Sequence, residues 1–225
     1  MKQRNLFAVV ISLAIVTQLS PSYVTAQTQT QTDEVPKFEV GAQFTSLTKA
    51  DNFNGSTEPG FGGRFTFNLN RSVALEAVGN FFPHKCSFCG QTGENSGNIT
   101  QVFAGVKAGK RFEKWGFFGK ARPGLVSFSD GESGYVPVNN GSTFPFEFQQ
   151  NRATYFALDL GAVLEFYPSK RIVTRFEGGD TLIHYGRRTG NIITFDPFSP
   201  GLIPFTTRSE TRHNFQFVAG VGWRF

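Results

Sequence analysis

Charge in this chain keeps to one side of an alternation, and that restricts the fold more than any other feature. Eight segments alternate with period two, the mark of strands with two unlike faces. Their apolar parity runs Phe38–Phe44, Phe61–Leu69, Val73–Phe81, Val102–Ala108, Phe117–Leu125, Phe156–Phe166, Ile172–Gly178 and Phe215–Phe225. The opposite parity carries Glu39, Arg64, Glu76, Lys107, Arg111, Lys120, Arg122, Asp159, Glu165, Arg175, Glu177 and Arg224. Lys110 and Asp180 fall on the apolar parity, each near a strand end, where a long side chain reaches an aqueous boundary.

Alternation does not say which face is inside. A soluble ligand-carrying barrel would turn the apolar face inward and fill its outer face with Lys and Glu. Here the polar face is half Gly, Asn, Gln and Thr, with charges of both signs. The apolar face is too rich in Phe and Leu for an eight-stranded interior; the chain holds 27 Phe and 25 Gly. The inverse arrangement fits: apolar face to lipid, polar face to the lumen. Link lengths agree. Tight links at 68–72, 111–115 and 166–171 alternate with long ones at about 48–59, 83–98, 129–151 and 186–207, as short periplasmic turns and long extracellular loops require. At about 3.3 Å per residue and a tilt near 45°, about 11 residues cross an apolar band about 25 Å tall. Most segments reach that length. An open edge would leave bare backbone groups in lipid, so the expected fold is all-β, an eight-stranded antiparallel up-and-down transmembrane barrel.

The N-terminus fits that destination. Lys2 and Arg4 precede the apolar run "LFAVVISLAIV" (6–16), and "VTA" (24–26) puts small residues before a cleavage site. The run is about half of what a membrane-crossing helix needs. Residues 1–26 therefore read as a signal peptide cleaved after Ala26, 27–36 as a polar tether, and 37–225 as the barrel. Losing Lys2 and Arg4 lowers the net charge of +5 by two, and no basic block suggests nucleic acid.

The chain stops on "NFQFVAGVGWRF" (214–225). Val221, Trp223 and Phe225 at alternate positions resemble the C-terminal signature of bacterial outer-membrane barrels. Residues 36–225 as a whole resemble the small eight-stranded barrels of the OmpA/OmpX kind, within the outer-membrane β-barrel domain family. The resemblance implies an outer-membrane location, both termini periplasmic and long loops outside, and a final segment read by the barrel-insertion machinery. It also implies a monomer in contact with outer-membrane lipid, with a structural or surface-interaction role. Full-length OmpA has a peptidoglycan-binding domain after its barrel; none follows Phe225, so a cell-wall tether is not expected.

Candidate chemistry is sparse. Cys86 and Cys89, in "HKCSFC" (84–89), are the only cysteines and are expected to close a small disulfide ring; a redox pair, or a metal site with His84, is the alternative. Glu39, Glu76, Asp159, Glu165 and Glu177 facing Arg64, Lys107, Lys120, Arg122 and Arg175 suggest an ion-pair network that fills the lumen, a narrow charge-lined pore being the other reading. Some eight-stranded outer-membrane barrels deacylate lipid A with a His and a Ser two residues apart. "LIHYGRR" (182–188) has no such Ser, and "SETRHNF" (209–215) gathers Ser, Glu and His without a specific spacing. No catalysis, cofactor or resident metal is expected. The aromatic, proline-containing loops 135–148 and 192–205 could serve as contact surfaces or as strand extensions. Arg187, Arg188, Arg208 and Arg212 cluster near the outer rim, where guanidinium groups match lipopolysaccharide phosphates.

Overall fold

The computed structural model describes residues 35–49, 57–83, 97–137, 146–194 and 201–225. The signal segment, residues 27–34 of the tether, and His84, Cys86 and Cys89 lie outside the described residues. Ten strands follow in order: β1 (Phe38–Lys49), β2 (Thr57–Asn68), β3 (Val73–Phe82), β4 (Ile99–Arg111), β5 (Trp115–Pro137), β6 (Phe146–Phe166), β7 (Ile172–Tyr185), β8 (Arg188–Thr194), β9 (Gly201–Thr207) and β10 (Glu210–Arg224). Eight of them close a barrel in the order β1-β10-β7-β6-β5-β4-β3-β2, with every pairing antiparallel.

Closure happens where the chain's two ends meet. Phe225 N–H donates to Phe38 O at 3.0 Å and Phe38 N–H donates to Phe225 O at 3.1 Å, continuing the β1–β10 ladder to the last residue. Pro36 O accepts from Asn68 Nδ2 at 2.7 Å, so the end of the sequence-assigned tether is already pinned to the wall. The tight turns have side-chain reasons. Asn70 Oδ1 accepts from the Ser72 and Val73 amides, both at 2.8 Å, and Ser169 Oγ accepts from Ile172 N–H at 3.1 Å.

Phe44, Phe61, Val102, Phe117, Leu125, Phe156, Phe215 and Val221 all stand exposed on the outer face. At the short-turn end Phe38, Trp115, Phe166, Trp223 and Phe225 form an exposed aromatic ring, with Phe38 and Phe225 centroids 6.2 Å apart. The charged parity lies inside, where Lys107, Glu165 and Arg175 are 0% exposed. A sheet this greasy outside and this charged inside suits acyl chains as solvent.

Three features depart from the sequence reading. The link at 129–151 is mostly strand, because β5 and β6 run on for 23 and 21 residues, about ten more than the apolar band requires, past a bulge between Phe128 and Glu132. The link at 186–207 contains the hairpin β8–β9, whose β-branched residues pair across it, Ile192 opposite Ile203. Finally, the inward face is not polar throughout. Toward the long-link end it turns apolar, and Leu47, Val78, Phe82, Ile99, Phe103, Val126, Ala157 and Ile183 pack as a buried core with Tyr155.

Deleting Phe225 removes two seam hydrogen bonds and one ring contact. The expected loss is about 2 kcal/mol of barrel stability, read as a lower unfolding midpoint in detergent and a smaller heat-modifiable folded fraction on gels.

Candidate functional site

The lumen is tiered. Nearest the short turns lies an ion-pair tier crossing from wall to wall. Arg175 on β7 grips Glu76 on β3 with both terminal nitrogens, Nη2 to Oε2 at 2.8 Å and Nη1 to Oε1. Those strands are four apart around the ring in either direction, so this fork spans the full diameter. Arg122 on β5 ties Asp159 (Nε–Oδ2 2.9 Å), Glu177 (Nη2–Oε2 2.8 Å) and Glu76 (Nη1–Oε2 3.2 Å) together. Lys120 bridges Asp159 and Glu177 at 3.0 and 2.8 Å. Lys107 binds Glu165 and lies 3.4 Å from Glu76. Four cations and four carboxylates thus neutralise one another in a space from which solvent is shut out, the condition under which buried charge is tolerable.

The other two members of the sequence-derived network make no hydrogen bond with those eight. Glu39 sits lower, accepting from Asn68 Nδ2 at 3.1 Å and facing Arg111 at 3.7 Å. Arg64 is 3% exposed, and none of its side-chain nitrogens has a hydrogen-bond partner among the described residues. Its guanidinium lies against the bare backbone of Gly41, Gly220 and Gly222; a Cβ there would come within 3.0–3.1 Å of its Cζ, Nη1 or Nη2. The alternation of Gly220 and Gly222 on the inward parity was the available signal for this shelf.

Sequence reasoning missed Tyr167. It donates to Glu165 Oε2 at 2.8 Å and accepts from Arg111 Nε at 2.9 Å, joining the bottom of the ion tier to the short β6–β7 turn. Burial, with the Glu165 carboxylate beside it, pushes its phenol well above the usual range, so it stays a donor. Arg224 lies over the Tyr167 ring at 4.4 Å. Above the ions comes an amide and hydroxyl belt: Gln43 to Asn80 at 2.7 Å, Asn80 to Gln101 at 3.3 Å, and Thr181 to Gln216 at 2.8 Å. The apolar tier sits on top. Over it Arg188 covers Tyr155 and Tyr185, at 4.6 and 5.2 Å from their ring centroids.

At that rim the four arginines separate. Arg212 pairs with Glu210 at 2.6 Å and Arg188 is spent on the tyrosines, whereas Arg187 and Arg208 are exposed. The histidines also part company. His184 meets Ser209 Oγ through Nε2 at 3.1 Å and Thr211 Oγ1 through Nδ1 at 3.0 Å, while His213 pairs with Asp180. The imidazole next to the serine therefore has a hydroxyl behind it, not the carboxylate that orients a general base. Val221, Trp223 and Phe225 all point outward at the short-turn rim.

No protein-family model matches the chain, and no curated protein matches it in sequence. Among solved structures it is similar to Neisserial surface protein A, at 11% identity and a TM-score of 0.50, over 84% of this chain and 97% of that one. Weaker likenesses include OprG from Pseudomonas aeruginosa (11% identity, TM-score 0.45, 85% and 97% covered) and Ail, the attachment invasion locus protein of Yersinia pestis (16%, 0.41, 84% and 96%). Together with the closed ring of strands, the first of these establishes the fold: a small eight-stranded antiparallel barrel of the outer-membrane kind.

Arg175→Met removes the two-pronged partner of Glu76, leaves three cations against four buried carboxylates and is expected to cost about 3–5 kcal/mol, whereas Arg175→Met with Glu76→Met, which leaves three against three, should cost much less. Urea unfolding of the detergent-folded protein, followed by tryptophan fluorescence, separates the two.

Proposed function

From the fold of the small eight-stranded outer-membrane barrels, we propose that this chain spans the outer membrane and works without catalysis, as a structural or surface-interaction protein whose contact region is its long-link rim. Termini and short turns face the periplasm; long links face outward. The barrel-insertion machinery reads the Val221–Trp223–Phe225 edge during assembly, and the folded chain is a monomer in lipid.

One observation carries the reading. The lumen is stoppered twice, by the ion-pair tier and by the apolar tier above it, while β5, β6 and the β8–β9 hairpin extend beyond the membrane band. A barrel built for passage would not bury Lys107, Glu165, Phe103 and Ile183 across its axis. A barrel built for contact gains from a rigid, filled frame under projecting strands. Ile192 and Ile203, exposed as a cross-strand pair on the hairpin, supply apolar contact area there. Arg187 and Arg208 supply charge that fits lipopolysaccharide phosphate. The hydroxyl behind His184 supports a non-enzymatic role, and overexpression is expected to leave lipid A unchanged by mass spectrometry.

Planar bilayers holding the purified protein should stay silent; steady single-channel steps would replace this reading with a narrow pore. Surface protease on intact cells should cut within the long links and spare the short turns. Arg187→Gln with Arg208→Gln should weaken lipopolysaccharide binding about tenfold, measured by calorimetry in detergent.

A further inference from the structure

The short-turn rim carries an unbalanced charge. Lys37, Arg71, Lys110, Lys114, Lys170 and Arg171 are all exposed there, and Glu113 is the only exposed acidic side chain among the described turn residues of that rim. The long-link rim, by contrast, mixes Arg152, Arg187, Arg208 and Arg212 with Glu147 and Glu210.

Within that ring lies a pocket of about 530 Å³, lined by Arg71, Arg111, Phe112, Glu113, Lys114 and Trp115. Two turns build it. The β2–β3 turn is held against the end of β4 by Gly109 N–H donating to Ser72 O at 2.8 Å, which brings Arg71 beside the β4–β5 turn. That second turn is closed by Phe112 N–H on Trp115 O at 2.8 Å, with the two rings stacked at 4.2 Å. Arg111 forms the inner wall. Its side chain is only 6% exposed: Nε and Nη2 are engaged by Tyr167 and Asn68, Nη2 also lies 3.7 Å from Glu39 and 3.6 Å from Glu165, and Nη1 is buried without a hydrogen-bond partner among the described residues. With Arg111 already facing carboxylates, the charge open to a ligand is that of Arg71 and Lys114, two exposed cations at the pocket mouth, and together they make a seat for an anion. Glu113 offsets part of that charge but leaves it positive. What lies alongside decides the anion's source: Trp115 (43% exposed) and Phe117 (54% exposed) are outward-facing aromatic surface of the lipid band.

We propose that this pocket binds the glycerophosphate of an anionic phospholipid in the adjacent leaflet. The phosphate sits against Arg71 and Lys114, and the acyl chains run along Trp115 and Phe117. The basic ring would thus recruit anionic lipid to the end of the barrel opposite its contact rim. The inference rests on the chain spanning a bilayer but not on which rim faces the periplasm.

Trp115 and Trp223 are the only tryptophans, and both stand at this rim, so a Trp223→Phe background makes Trp115 a reporter. That protein is reconstituted in phosphatidylcholine vesicles containing a minor fraction of acyl-brominated phosphatidylglycerol or, separately, acyl-brominated phosphatidylcholine. Brominated phosphatidylglycerol is expected to quench Trp115 with an apparent association at least about fivefold stronger. Arg71→Gln with Lys114→Gln should abolish the preference while keeping heat-modifiable folding, and Arg71→Lys with Lys114→Arg should retain it. Equal quenching by the two lipids, or a preference that survives the Gln variant, overturns the proposal. A preference erased by millimolar inorganic phosphate also overturns it and marks a site for the free ion. Absence of quenching by either lipid would instead remove the membrane-spanning reading on which it stands.

Discussion

A backbone in hydrocarbon has no water to bond with, and the rest of this structure follows from that. Each unpaired N–H or C=O in lipid costs several kcal/mol, so a sheet there has to be a ring. The ring closes only if the first and last strands meet over their full length, which makes the Phe38–Phe225 pair a condition of the fold and not a frayed end. Eight strands then fix a cylinder too narrow for bulk water and wide enough for side chains. Whatever alternates inward must fill it.

Two solutions to filling it are stacked in one lumen. Charges are dense in one part, where Lys107, Lys120, Arg122 and Arg175 each meet a carboxylate on another strand, and Arg122 and Arg175 serve several carboxylates each because a planar fork presents several donors. Toward the long links the same parity carries Leu, Val, Ile and Phe, which need no partner. The amide belt between them lets one regime pass to the other without leaving a charge against hydrocarbon. Such cross-lumen ties rigidify the wall more than neighbouring-strand pairs would, since each one fixes opposite sides of the ring relative to one another.

The alternation made the strand count, the closure and the lipid-facing set legible, because parity is a local property: Phe44, Val102 or Phe156 can be assigned without knowing any partner. Partnership was not legible. Which carboxylate Arg175 meets depends on the stagger between strands four apart, and no spacing along the chain encodes it. Arg64 illustrates the limit, having the right parity and charge yet resting on glycines from β1 and β10 instead of on an acid. Phe82, Phe103 and Ile183 turn inward where the parity argument expected a polar lumen along the whole axis. Extensions of β5 and β6 read as loops because glycines, prolines and acids interrupt their alternation at Asp130–Gly134 and near Pro137. The contact of His184 with Ser209 joins residues from strands β7 and the approach to β10, and only the register of that pair places them together.

The two ends of the barrel answer to different surroundings. At the long-link end, strand pairs continue past the greasy band, so backbone polarity is satisfied by pairing well into water, and the side chains there are under no constraint from lipid. Variation in those projecting pairs would leave the wall untouched. At the short-turn end nothing projects: three tight turns, an aromatic ring and six exposed cations end the barrel within a few residues of the lipid boundary. In a bilayer, cations there would act on headgroup phosphates within a Debye length, roughly 8–10 Å, whereas Arg187 and Arg208 flank the base of the β8–β9 hairpin. On the proposed reading, attachment to the bilayer and contact with the surroundings fall to opposite rims, and the ion-pair tier that locks the wall lies nearer the short-turn one.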